Sequence, residues 1–135
     1  MISEASQVYF YVQKNQNAPR GTNAVTFEVE KLNVGKAMDI KTGVFTAPVD
    51  GNYFFTFSCV SNPGGALRVQ LMLNGVAVGT AVAKVELNTA AMQSIIQLKK
   101  GDKITLSTAL SDPDSEGIRD KADRLQTHFT GMLLP

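Results

Sequence analysis

The stretch SDPDSEGIRDKADR, residues 111–124, gathers Asp112, Asp114, Glu116, Asp120 and Asp123 beside Arg119, Lys121 and Arg124. Carboxylates at alternating positions are the hard oxygen donors that calcium takes. Asp112, Asp114 and Glu116 precede Gly117, Asp120 falls at the ninth place and Asp123 at the twelfth, which echoes a calcium loop. The echo departs where the twelfth ligand should be a bidentate Glu and where Arg119 replaces an apolar residue, and no long helical period flanks the run. These five acids are therefore candidate calcium ligands in some other geometry, with calcium an optional ion rather than a required cofactor. The same run also reads as a solvated charged loop. A connection of this length between strands points to function.

Nucleophilic catalysis needs a nucleophile, a base and an orienting group in hydrogen-bond reach. The sequence holds one histidine, His128, and one cysteine, Cys59. Strand alternation puts Cys59 on the core face with Phe57 and His128 on the face opposite Phe129, so a buried structural thiol and an inter-strand or interface histidine are expected. There is no phosphate-cradling glycine loop ending in Lys-Ser/Thr, no HExxH and no cysteine pair for zinc. The chain reads as a non-enzyme with no required cofactor.

Thirteen basic against twelve acidic residues leave a net charge of +1, which gives no field drawing the chain to nucleic acid. No apolar run is long enough to span a bilayer, and MISEASQ lacks the features of a secretory signal, so no membrane insertion is expected. A single cysteine allows no intrachain disulfide. At 135 residues there is room for one domain with its own core.

The elements that must position these groups are strands. Turn signals recur at 18–23, 50–51, 61–65, 74–75, 99–102 and 111–117, the punctuation of an all-β sandwich or barrel. Leu67, Val69, Leu71 and Leu73 alternate with Arg68, Gln70, Met72 and Asn74, and Ile104, Leu106, Thr108 and Leu110 with Lys103, Thr105, Ser107 and Ala109. Asn74-Gly75 suits a tight hairpin, since both positions accept positive φ. RDKADRLQ, 119–126, has the composition of one helical turn.

Four other runs are apolar on both faces. Val8, Phe10 and Val12 back onto Tyr9 and Tyr11, and Tyr53, Phe55, Phe57 and Cys59 onto Phe54 and Val60. Met92, Ile96 and Leu98 back onto Ile95, and Phe129, Gly131 and Leu133 onto His128, Met132 and Leu134. Two unlike sheets follow, one of them apolar outside as well as in. Large apolar patches are rare on monomers, so the second face is expected to be covered by other copies of the chain.

Phe27, Asn33, Phe45, Gly51, Tyr53, Phe55 and Phe57 fall at the spacing F-x5-[ND]-x4-[FYWL]-x6-F-x5-G-x-Y-x-F-x-[FY], with Met38 the one departure. The chain thereby resembles the complement component 1q globular head, and the likeness runs over residues 8–134. The resemblance implies an all-β, ten-stranded jelly-roll sandwich of the complement component 1q and tumour necrosis factor type, assembled as a homotrimer. Residues 1–7 would be an N-terminal extension and 8–135 the globular domain. Tyr9, Tyr11, Phe54, Ile95, His128 and Met132 would then form the trimer interface, with Phe45, Tyr53, Phe55 and Phe57 in the core.

In such a jelly roll the loops at 61–66, 84–89 and 111–125 share the end away from the termini. Asn62, Glu86, Asn88, Asp112 and Asp120 there suit hydroxyls, and Arg119 and Arg124 suit a carboxylate. These seven are the candidate ligand-binding residues. Lys99, Lys100 and Lys103 belong to the opposite end and read first as an exposed turn. What the resemblance implies is a secreted, extracellular recognition module, a lectin-like pattern-recognition protein of innate immunity that takes glycans or microbial surface ligands. The competing reading is a trimeric signalling ligand for a cell-surface protein receptor, and a third is a structural trimerisation module.

Overall fold

The computed structural model describes residues 7–19, 21–61, 66–84, 89–108, 118, 120 and 125–135. Ten strands follow one another: β1 Tyr9–Gln13, β2 Val29–Val34, β3 Met38–Asp39, β4 Val44–Thr46, β5 Gly51–Val60, β6 Leu67–Leu73, β7 Val76–Ala83, β8 Thr89–Leu98, β9 Lys103–Ser107 and β10 His128–Leu133. They form two antiparallel five-stranded sheets in the orders β2-β1-β10-β5-β8 and β3-β4-β9-β6-β7. This is the ten-stranded jelly roll expected from the sequence.

Period-two patterning decides what lies between the sheets. From the first sheet come Phe10, Val12, Tyr53, Phe55, Phe57, Cys59 and Phe129, and from the second Phe45, Leu67, Val69, Leu71, Ile104 and Leu106, all buried. Phe10 lies at the centre of the aromatic cluster, 5.3 Å from Phe45 and edge-on to Phe129 at 5.0 Å between ring centroids. Each such pair adds roughly 0.5–1.5 kcal/mol beyond the area it buries. Met38, the departure from the signature, is buried opposite Phe45, where a flexible thioether fills the place of a ring.

Gly131 is the register partner of Phe55. A Cβ there would fall on the Phe10 ring and lie 2.9 Å from Phe55 Cδ1, so its absence makes room for two core rings. Asn74 and Gly75 both adopt positive φ, 50° and 82°, and turn β6 into β7 as the sequence requires. Ser107 and Thr108 depart from simple alternation: both are buried, and their side chains donate to the carbonyls of Thr22 and Pro19, pinning the segment before β2.

Leu125 has φ 51°, which a right-handed helical turn through that residue excludes. Residues 121–124, the middle of the expected turn, lie outside the described residues.

Candidate functional site

The two ends of the sandwich hold different groups. At one end β5 finishes beside the start of β8, Val60 opposite Thr89, and Ile118 bridges both Ser61 and Ala18. Ile118, within the charged connection, is thus seated beside the end of β5. Asn62, Glu86, Asn88, Asp112, Arg119 and Arg124, with Asp114, Glu116 and Asp123, lie outside the described residues.

Asp120 is described, and its place corrects the expectation that it faces a ligand. It is only 3 % exposed. The backbone N–H of Gln126 donates to one carboxylate oxygen at 3.0 Å and that of Thr127 to the other at 2.6 Å. Its own N–H donates to Asn17 Oδ1 at 2.9 Å. Asp120 is a strut that fixes the chain entering β10, and its two oxygens are engaged within the subunit.

Beneath this end lies Lys14, which no pattern in the sequence marks. Its ammonium is buried and donates to Glu28 at 3.0 Å and to the Thr26 carbonyl at 2.8 Å, 5.9 Å above the Phe27 ring. Glu28 also accepts the Asn15 N–H at 2.9 Å. The pair staples the 14–28 segment against the core.

The six residues expected at an interface share the outer face of the first sheet. Val34, Tyr9, Met132, Phe54 and Ile95 are successive register partners, one unbroken row across all five strands. Tyr11 lies edge-on to His128 at 5.9 Å in the same face, and Leu32, half exposed, extends it on β2. Ile95 is 66 % exposed and Met132 41 %. A second apolar strip runs along β7, the edge of the other sheet, where Val76, Val78 and Val82 are exposed. A register shift opposite Leu71 and Met72 leaves Val78 as the extra residue of a bulge.

Cys59 and His128 sit on opposite faces of the first sheet and cannot form a nucleophile–base pair. Burial pushes the Cys59 thiol up to about 12, the Lys14 charge opposing this and Asp120 adding to it. Such a thiol is inert at neutral pH.

With this geometry in place, comparison with known proteins is decisive for the family. A sequence model of the C1q domain matches residues 9–134. The chain belongs to the C1q domain family. It is similar to human complement C1q tumor necrosis factor-related protein 3, 31 % identical over 104 residues, which are 74 % of this chain and 42 % of that protein. It is also similar to bovine protein HP-25 homolog 1, 30 % identical over 95 % of this chain and 58 % of the relative, and to the Mytilus edulis heavy metal-binding protein HIP, 25 % identical over 80 % and 50 %. The chain spans about half the length of these curated relatives.

Among solved structures, the globular domain of zebrafish complement 1qA superposes with TM-score 0.75 at 22 % identity, covering 96 % of this chain and 98 % of that one. Murine APRIL superposes with TM-score 0.73 at 10 % identity, covering 96 % and 100 %. In this C1q domain the signature Asn33 has a visible task. Its amide donates to the Met38 carbonyl at 2.7 Å and its oxygen accepts the Met38 N–H, closing the tight turn between β2 and β3.

Proposed function

We propose that this C1q domain is a secreted, non-enzymatic homotrimeric recognition module that binds carbohydrate and serves innate pattern recognition. The observation carrying the assembly is the row Val34–Tyr9–Met132–Phe54–Ile95, an apolar surface that one subunit leaves uncovered. The exposed valines of β7 supply a second surface of different shape. A face that docks on a different edge of the next copy makes a heterologous contact, and a threefold rotation between copies closes it into a ring of three. Three copies multiply a weak single-site affinity by avidity.

The loops around Ser61, Thr89 and Ile118 are the site we assign to glycan, through Asn62, Glu86, Asn88, Asp112, Arg119 and Arg124. With Asp120 engaged internally, an optional calcium ion would fall to Asp112, Asp114, Glu116 and Asp123. A glycan array run with and without chelator tests this. Replacing Asp112, Arg119 and Arg124 by alanine should abolish the array signal while the trimer persists. The alternative is a trimeric ligand for a cell-surface receptor, favoured by the likeness to a tumor necrosis factor-related protein. No glycan signal together with saturable binding to a cell-surface protein would establish that alternative instead.

A further inference from the structure

At the end of the sandwich opposite the charged loop, a shallow groove of about 690 Å³ lies between the β3–β4 edge and the turn at 99–102. Ala37, Val44, Ala47 and Pro48 line it together with the ammonium-bearing Lys36, Lys100 and Lys103. One carboxylate, that of Asp39, shares the groove, and it already accepts the Lys41 N–H at 3.0 Å. Lys36, Lys100 and Lys103 make no ion pair among the described residues, where the ion pair present is Lys14–Glu28. The lysines of the turn are 64 residues or more from Lys36 in sequence, so only the fold brings the three together.

The walls are held in place. Asn33 closes the turn that carries Gly35 at φ 89° and Lys36 at φ 53°, a left-handed conformation that fixes where Lys36 leaves the chain. The 99–102 turn is tied to the floor by Gly101 N–H to the Ala47 carbonyl at 2.8 Å and Ala47 N–H to the Asp102 carbonyl at 2.9 Å. Asp102 accepts the Lys99 N–H at 2.9 Å and the Asn74 amide at 3.0 Å, contacts that hold its carboxyl below the usual range. Its charge is used within the turn.

We propose that this groove binds an anionic saccharide, its carboxylate or sulfate groups on the three ammoniums and a ring face on the alanine, valine and proline floor. Openness and shallowness suit a rigid ring better than a flexible lipid chain, which needs a deep cavity to bury it. β3 is the edge of the second sheet opposite β7, so a contact made through β7 does not cover the β3–β4 wall of the groove. Exposed charge contacts are individually weak, so binding to one groove is salt-sensitive and a chain spanning several grooves gains by avidity. The site is separate from the loop site and does not require it.

The test is titration of the intact protein with a heparin-type sulfated hexasaccharide, an oligogalacturonate, neutral dextran and a poly-glutamate peptide, at low and at 0.3 M salt. At least one anionic saccharide should bind and weaken with salt, and which one binds tells sulfate from carboxylate. Lys100→Glu with Lys103→Glu should weaken it about tenfold or more. Lys36→Asn, which a positive φ tolerates, should weaken it less. In the charge-matched pair of single variants Lys31→Glu and Lys100→Glu, the first should bind as the parent does and the second more weakly. Absence of binding by both anionic saccharides, equal binding of dextran, preference for the peptide, or equal loss in the charge-matched pair would each overturn the proposal.

Discussion

Phe54 of β5 is the register partner of Ile95 of β8, and both side chains point away from a core already filled by Tyr53 and Phe55. In a single subunit nothing covers Ile95, which is 66 % exposed. Ile95→Asp therefore introduces no buried charge into the isolated fold. At a contact between copies the same aspartate would be desolvated without a partner, at roughly 3–5 kcal/mol per site. The expected outcome is an intact β-sandwich by circular dichroism whose sedimenting mass falls to one subunit.

Gly131→Ala should lower stability by roughly 1–3 kcal/mol, because the added methyl meets Phe10 and Phe55 and the core can yield only by moving rings off their rotamers. Urea midpoints of parent and variant measure it, with an unchanged slope expected.

Lys14 and Glu28 should respond unequally. Glu28→Ala strands a buried ammonium and should cost roughly 3 kcal/mol, the lower end for a buried pair because Glu28 is 19 % exposed. Lys14→Met leaves Glu28 near water with the Asn15 N–H still donating to it, and should cost clearly less. A thermal-melt comparison of the two variants ranks them. Equal losses would show that packing of the lysine stem, not the charge, holds the segment.

Cys59 gives a pH dependence with a definite sign. Its folded-state value of about 12 lies above that of an exposed thiol, so the neutral form is favoured by folding. Stability from this group is fully present below the ordinary thiol value. As pH rises past about 8.5 the unfolded chain loses the proton first, and stability falls by about 1.4 kcal/mol per pH unit toward the folded value. Cys59→Ala should remove this part of the alkaline slope, read as the difference between the two stability–pH curves at pH 8–10.5.

The sequence made some parts of this fold legible and hid others for physical reasons. Tyr53, Phe55 and Phe57 against Phe54 showed a strand apolar on both sides, because period-two patterning survives burial on either face. β2 carries no clear strand signal: Glu30 and Lys31 interrupt its alternation, and the ladder to β1 shifts register between Tyr11 and Val12. Leu32 is hidden with it. No pattern marks Lys14, since its carboxylate partner lies fourteen residues on across a loop. Asp120 looked like a ligand donor for the converse reason. Its partners are backbone N–H groups six and seven residues later, and no residue type announces such a contact. The Lys36 groove was hidden because its three charges converge only through the pairing of β4 with β9.

The assembly is tested most directly by sedimentation equilibrium of the unmodified protein at nanomolar to micromolar concentration. The expected result is a mass three times that of the 14.5 kDa chain, unchanged by reducing agent because Cys59 is buried. A stable species of one subunit, or of two, across that range would contradict it.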